Sequence, residues 1–115
     1  MPFLKAVTRL EEALNQPQNE FIRDSVIQRF EFCIELAWKT SRKVMGTTTT
    51  APKQIIREMA QNNLIESPEI WILAIDERNR SSHTYNEITA EEIYQFAKGF
   101  LPHLKGLSLK IKTFK

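Results

Sequence analysis

The chain has 115 residues, a formal net charge of +2 and one cysteine. This length corresponds to a single domain, and so small a net charge excludes a nucleic-acid binder that relies on bulk charge alone. One cysteine excludes a disulfide framework and a cysteine-based zinc site. Acidic residues enter at Glu11 and Glu12 and no long apolar run follows. We therefore expect no signal peptide, no membrane span and a cytoplasmic location.

The first two predicted helices differ in length. Apolar residues recur at helical spacing from Leu4 to Leu14, and the polar turn at 15–17 ends this first helix. A much longer second helix is predicted from about Asn19 to Met45. Its end is placed before Gly46, because glycine adopts the left-handed conformation of a helix C-cap most easily.

Three further helices follow at shorter intervals. Proline at a first helical position predicts a third helix over 52–60, and Ser67 is the predicted cap of a fourth. Thr89 and Glu92 have the spacing of a capping box, which predicts the start of the last helix. Pro102 is expected to bend or break that helix.

The pattern as a whole predicts an all-α fold. Only residues 107–111 alternate with the period of a strand, and we expect this tail to fray. The short connections favour an antiparallel up-and-down bundle of four to five helices, forming one domain over residues 1–115.

The second helix carries more apolar surface than a surface helix needs. Phe32 and Leu36 lie away from its main apolar face. Two interpretations stay open: a core helix surrounded by its neighbours, or a contact surface for a second copy of the chain. A Phe32→Glu variant distinguishes them by its mass on size-exclusion chromatography.

The densest polar stretch lies at 76–86, between the fourth and fifth predicted helices. Arg78 shares the phase of the fourth helix's apolar stripe, so its permanently charged guanidinium is expected to point toward the interior or a groove beside it. A break in the helix after Ser81 would bring this side chain beside His83. A guanidinium and an imidazole around one cavity suit phosphate chemistry.

The same residues also have a purely structural interpretation. A histidine near a helix C-terminus, such as His83, is stabilised by the helix dipole. An arginine that follows an Asp-Glu pair forms surface ion pairs in many proteins. Tyr85 is equally ambiguous, since a tyrosine beside a loop usually packs its ring and hydrogen-bonds its hydroxyl.

Other residue groups give weaker indications. His83 and His103 lie far apart and no glycine-rich phosphate loop is present, so we expect no metal and no cofactor. Glu31 and Glu35 lie one helical turn apart, and a solvated face near Lys39 is favoured over a pair of catalytic acids. Lysines within 105–115 form a basic tail that holds RNA or aids solubility.

The segment RNRSSHTY resembles the HEPN motif, in which an arginine and a polar residue precede a histidine; Arg78, Asn79 and His83 match it. The motif extends to Tyr85, as an arginine, four residues, a histidine, one residue and a tyrosine. This pattern is similar to that of HepT-type toxins, which are paired with minimal nucleotidyltransferase antitoxins. Together with RDSVIQRFEFCIELAWKT, APKQIIREM and DERNRSSHTYNEITAEEIY, it resembles the nucleotidyltransferase substrate-binding proteins over residues 1 to about 105.

This resemblance implies a homodimeric helical bundle that assembles with a small nucleotidyltransferase encoded nearby. It implies a toxin that cuts RNA without a metal, with Arg78 and His83 catalytic at the dimer cleft. Asn79 is expected to bind RNA phosphate or to orient the imidazole, and Arg80 to contact the flanking RNA backbone. Tyr85 is expected to receive AMP from the partner, which silences the toxin. The alternative that the resemblance implies is a non-catalytic subunit that presents substrate to the transferase.

Overall fold

The structure, a computed structural model, describes residues 1–81 and 86–114. Within these ranges the chain forms five helices and no strand. The helices are α1 (Pro2–Leu14), α2 (Glu20–Met45), α3 (Pro52–Gln61), α4 (Pro68–Ser81) and α5 (Glu87–Thr113). The all-α class predicted from the sequence is confirmed, whereas dimerisation stays a prediction.

Both ends of α2 lie at or within one residue of their predicted positions. Asn19 precedes the helix with an extended backbone, and its side chain accepts a hydrogen bond from the Ile22 amide at 2.9 Å. Gly46 ends the helix at φ 70°, and its N–H donates to the Arg42 carbonyl at 3.0 Å. A left-handed backbone costs other L-residues about 1–2 kcal/mol, so glycine suits this position best.

The start of α5 differs from the prediction, and the predicted capping box of Thr89 and Glu92 does not form the N-terminus of this helix. The helix begins earlier than that box predicts, at Glu87. Asn86 is its N-cap, with a side chain that accepts a hydrogen bond from the Thr89 amide at 2.9 Å. Asparagine caps at least as well as threonine, and the earlier start makes Thr89 a buried residue of the first turn.

Pro102 does not break α5, which continues to Thr113. Pro102 is exposed, as is Lys98 one turn earlier, so water can reach the side of the helix where proline removes a hydrogen bond. The expected fraying of residues 107–111 is also wrong. Leu107 and Ile111 are both buried and lie one helical turn apart, and their packing holds this last part of α5 in helical form.

Aromatic side chains at the centre of the core join α2, α4 and α5. The ring of Phe100 on α5 makes edge-on contacts with Trp71 on α4, at 4.7 Å between centroids, and with Phe30 on α2, at 6.3 Å. Such pairs add about 0.5–1.5 kcal/mol beyond the burial of their apolar area. This packing fixes α4 against α2, and with it the polar residues that follow Trp71 on the same helix.

Candidate functional site

The end of α4 carries three of the five predicted site residues. Arg78, Asn79 and Arg80 belong to its last turn, whereas His83 and Tyr85 lie outside the described residues. The hydroxyl of buried Ser81 donates to the Arg78 carbonyl at 2.7 Å and ties the end of the helix together. The backbone that bears the three polar side chains is therefore held in place.

Arg78 is half-buried, as its helical phase predicts, with 28% of its side chain exposed. Its Nη2 lies 2.8 Å from a carboxylate oxygen of Glu35 on α2, and its Nη1 donates to the side-chain oxygen of Asn79 at 3.5 Å. Its Nε is buried, and no described residue accepts a hydrogen bond from it. The guanidinium is thus fixed along one edge, and one of its donors remains unused by the described residues.

Glu35 is the functional candidate that sequence reasoning missed. Its predicted proximity to Lys39 is confirmed, since the two charged groups lie 3.3 Å apart on consecutive turns of α2. Its contact with Arg78 joins two helices and depends on how they pack. Residue spacing reveals contacts along one helix, so the sequence carried no local signal for this pair.

Arg80 reaches in a different direction, toward α5. It forms ion pairs with Glu77, at 3.3 Å on its own helix, and with Glu92 on α5. Hydrogen bonding to Glu92 is the main cause that raises the pKa of the Arg80 guanidinium. These contacts tie the end of α4 to the beginning of α5. The contact of Arg80 with RNA phosphate stays a prediction.

A second ion pair fixes the chain just after residues 82–85. Buried Arg23 of α2 holds the Glu87 carboxylate with two hydrogen bonds, of 2.7 and 3.3 Å. The hydrogen bonds and the charge of Arg23 lower the pKa of Glu87. Ser81 on one side and Glu87 on the other are therefore both anchored to the bundle.

An open cavity of about 490 Å³ lies beside Arg78, against the outer face of α2. Its lining consists of Gln28, Arg29, Glu31, Phe32, Glu35 and Arg78. Charged groups of both signs surround a half-exposed phenyl ring, so the cavity combines donors for an anion with an apolar wall. This is the surface at which Arg78 can meet a ligand.

Large apolar side chains are exposed close to the same end of the bundle. Phe21 is 83% exposed at the start of α2, and Ile88 is 76% exposed at the start of α5. Phe32, for which the sequence left a core position and a dimer contact as alternatives, is 59% exposed. Exposed apolar residues grouped on a small protein often mark a surface that contacts another molecule.

The described residues were also compared with the requirements of a metal site and of a membrane-spanning helix. Among them, no three histidine, cysteine, aspartate or glutamate side chains are grouped in a way that could bind a metal ion. None of the helices within 1–81 and 86–114 combines the length and apolarity that crossing a bilayer requires.

Comparison with known proteins gives a consistent family assignment. The model of a family described as "Nucleotidyltransferase substrate binding protein like" matches residues 1–113. A crystal structure from Thermus thermophilus superposes with a TM-score of 0.86 at 26% identity, covering 95% of this chain and 98% of the other. HI0074 from Haemophilus influenzae, described as having the fold of a substrate binding domain of a nucleotidyltransferase, gives 0.83 at 26% identity and covers 96% and 97%.

A curated relative adds a name that refers to an activity. It is called "Probable ribonuclease HepT", comes from Haemophilus influenzae, and is 29% identical over 96 residues. The match covers 73% of this chain and 66% of the relative, which is just under two thirds of its length.

Proposed function

The chain belongs to the nucleotidyltransferase substrate-binding family, and on that basis we propose that it is a HEPN-type toxin, a metal-independent endoribonuclease that acts as a homodimer. The observation that supports this most is the position of Arg78. Its guanidinium lies at an open cavity, is fixed by Glu35, and precedes His83 by five positions on the same segment.

The chemistry requires a proton carrier and a cation. The ribose 2′-oxygen attacks the adjacent phosphorus, its proton passes to a base, and the bond from phosphorus to the 5′-oxygen breaks as that oxygen receives a proton. An imidazole titrates near neutral pH, so His83 is the proposed acid or base. Arg78 stabilises the charge that grows on the phosphate oxygens. Asn79 and Arg80 contact the flanking phosphates.

A homodimer supplies what a single copy lacks. One copy contributes a single motif histidine, whereas two copies around one cleft provide one histidine for each proton transfer. The exposed Phe21 lines the same cavity as Ser81, and the exposed Ile88 directly follows Glu87, so both offer an apolar contact surface beside the motif segment. Dimerisation and catalysis would then depend on the same end of the bundle.

Silencing by the partner follows from the position of Tyr85. Transfer of AMP from a small nucleotidyltransferase, encoded nearby, to its hydroxyl adds a phosphodiester with about one negative charge. The modification lies two residues from His83, where its charge and bulk compete with RNA phosphate for Arg78 and Arg80.

His83→Ala is the direct test, with His103→Ala as a matched control on the exposed surface of α5. Each protein is incubated with total RNA in EDTA, and helical content and mass are measured in parallel. We expect His83→Ala to abolish cleavage with its circular dichroism spectrum and dimer mass unchanged, and His103→Ala to cut RNA normally. Cleavage that persists in His83→Ala removes this residue from the mechanism.

A second candidate function is a non-catalytic subunit that presents substrate to the transferase. The charges of the motif favour it, because Arg78 and Arg80 already have carboxylate partners and the net charge is only +2. The two functions differ when the transferase and ATP are added to the RNA assay. The nuclease cuts alone and is suppressed by this addition, whereas the scaffold cuts under neither condition.

A further inference from the structure

Two cavities on the outer face of α2 share part of their lining. The first is the cavity beside Arg78; the second, of about 220 Å³, lies between α1 and α2 and includes Lys5 and Arg9. Arg29 and Phe32 line both. The two cavities therefore adjoin at these residues, and together they extend from the end of α4 to α1. We call this pair of cavities the cationic groove, after the cations Lys5, Arg9, Arg29 and Arg78 that line it together with Phe32. Its acidic lining residues, Glu31 and Glu35, belong to the cavity beside Arg78.

The α1 end of the cationic groove has a strong charge bias. Lys5, Arg9 and Arg29 are exposed there, and no acidic residue of the described chain lines this cavity. Lys5 and Arg9 are one helical turn apart, about 6 Å along the axis. Arg9 has an exposed ion pair with Glu12 at 3.8 Å, and such pairs contribute little. Arg29 donates from Nε to the Ser25 hydroxyl at 3.2 Å.

Phe32 lies where the two cavities meet, with more than half of its side chain exposed. A row of cations interrupted by an exposed aromatic ring is the pattern by which proteins bind single-stranded nucleic acid, because cations attract the phosphates and bases stack on the ring. We infer that the cationic groove carries the RNA strand away from Arg78, with phosphates on Lys5, Arg9 and Arg29. This inference rests on the proposed ribonuclease function.

The charge favours a polyanion as the occupant of the α1 end of the groove. Lys5, Arg9 and Arg29 are exposed there, no acidic residue of the described chain lines this cavity, and the exposed ring of Phe32 lies beside them. A polyanion has the complementary charge, and the sequence-based interpretation of Phe32 as a dimer contact becomes an outcome of the test below.

The first experiment measures binding of a fluorescent oligouridine by fluorescence anisotropy, in the His83→Ala chain so that the RNA stays intact. Each phosphate contact on a single strand changes the slope of log K against log salt by about 0.7. Replacing Lys5, Arg9 and Arg29 by glutamine should therefore reduce the slope by about 2 and weaken binding at about 0.1 M salt by up to about 100-fold. Should the triple variant unfold, each single variant should lower the slope by about 0.7.

The matched control removes three positive charges elsewhere, at Lys43, Arg57 and Lys98, which are exposed on α2, α3 and α5 and do not line the groove. We expect it to leave most of the slope intact. An equal loss in the control, or an unchanged slope in the groove variant, overturns the inference. If wild-type protein still cuts RNA in that case, the ribonuclease function survives without this path.

Phe32 is tested separately by Phe32→Tyr and Phe32→Leu. Tyrosine keeps an aromatic face, so binding should be close to wild type, whereas leucine should weaken it at least about fivefold. Equal binding by the two variants contradicts stacking. A fall to monomer mass in Phe32→Glu, with oligouridine affinity unchanged, assigns the ring to a protein contact and overturns its role in RNA binding.

Discussion

The ion pair between Arg78 and Glu35 can be measured without any activity assay. Both side chains are 28% exposed and their nearest charged atoms lie 2.8 Å apart. Fully exposed pairs contribute about 0.2–1 kcal/mol, while hydrogen bonds to charged groups with restricted access to water contribute about 1.5–3 kcal/mol. This half-buried pair should fall between the two, with a coupling energy of about 1–2 kcal/mol.

A double-mutant cycle of Glu35→Gln, Arg78→Gln and the double variant, measured by urea unfolding, isolates this coupling. The two single variants should not be equal. Glu35 keeps Lys39 at 3.3 Å when Arg78 is replaced, whereas Arg78 loses its carboxylate partner when Glu35 is replaced. Glu35→Gln should therefore cost more, with a melting temperature lower by about 4–8 °C for each kcal/mol.

Glu31→Gln is the control for this cycle. Glu31 lies one turn before Glu35, lines the same cavity and has no ion pair with a described residue. It should change the free energy of unfolding by less than about 0.5 kcal/mol. A coupling energy near zero between Glu35 and Arg78, or an equal cost for Glu31→Gln, would show that the pair does not position the guanidinium.

Three other predictions concern the bundle around the site. The pKa of Glu87 is lowered by Arg23, so the contribution of this ion pair to stability is present above the ordinary carboxyl pKa and is lost as the pH falls below it. In urea unfolding, Glu87→Gln should lose less stability than the wild type as the pH is lowered, and an unchanged pH profile would argue against the pair. Gly46→Ala should destabilise the protein by about 1–2 kcal/mol because φ is 70° at this position. Gly106→Ala, at an open position inside α5, should stabilise it by about 0.5–1 kcal/mol, and equal shifts in the melting temperatures of the two variants would contradict this. Burial raises the pKa of the Cys33 thiol to about 12, so a disulfide reagent should label it only as the protein unfolds, and rapid labelling of the folded chain would refute its burial.

The sequence predicted best what is decided by neighbouring residues. Gly46 ends α2 because its left-handed conformation depends on one residue, and Asn19 caps the same helix through a hydrogen bond three positions away. The start of α5 was missed because two capping residues, Asn86 and Thr89, lie three positions apart. Either could cap a helix, and the structure buries Thr89, which local propensity does not indicate.

For the candidate site, the helical phase of Arg78 correctly predicted that the side chain is half-buried, but its partner could not be predicted. The position of Glu35 relative to Arg78 depends on the packing of α2 against α4, to which Trp71, Phe30 and Phe100 contribute. Periodicity identifies the apolar face of each helix and leaves open which residue of another helix it meets.

The arginines of the motif segment are paired with carboxylates in a chain whose net charge is only +2. Arg78 and Arg80 each have a carboxylate partner on another helix, Glu35 and Glu92 respectively. Any phosphate has to share these guanidinium groups with the carboxylates or displace them, which lowers its affinity and fixes the direction of the donors. Recognition of an anion at this site therefore depends on local geometry, and long-range attraction has to come from cations elsewhere. The exposed cations at the α1 end of the cationic groove can supply this attraction. Among the described residues, no carboxylate lines the cavity in which they lie.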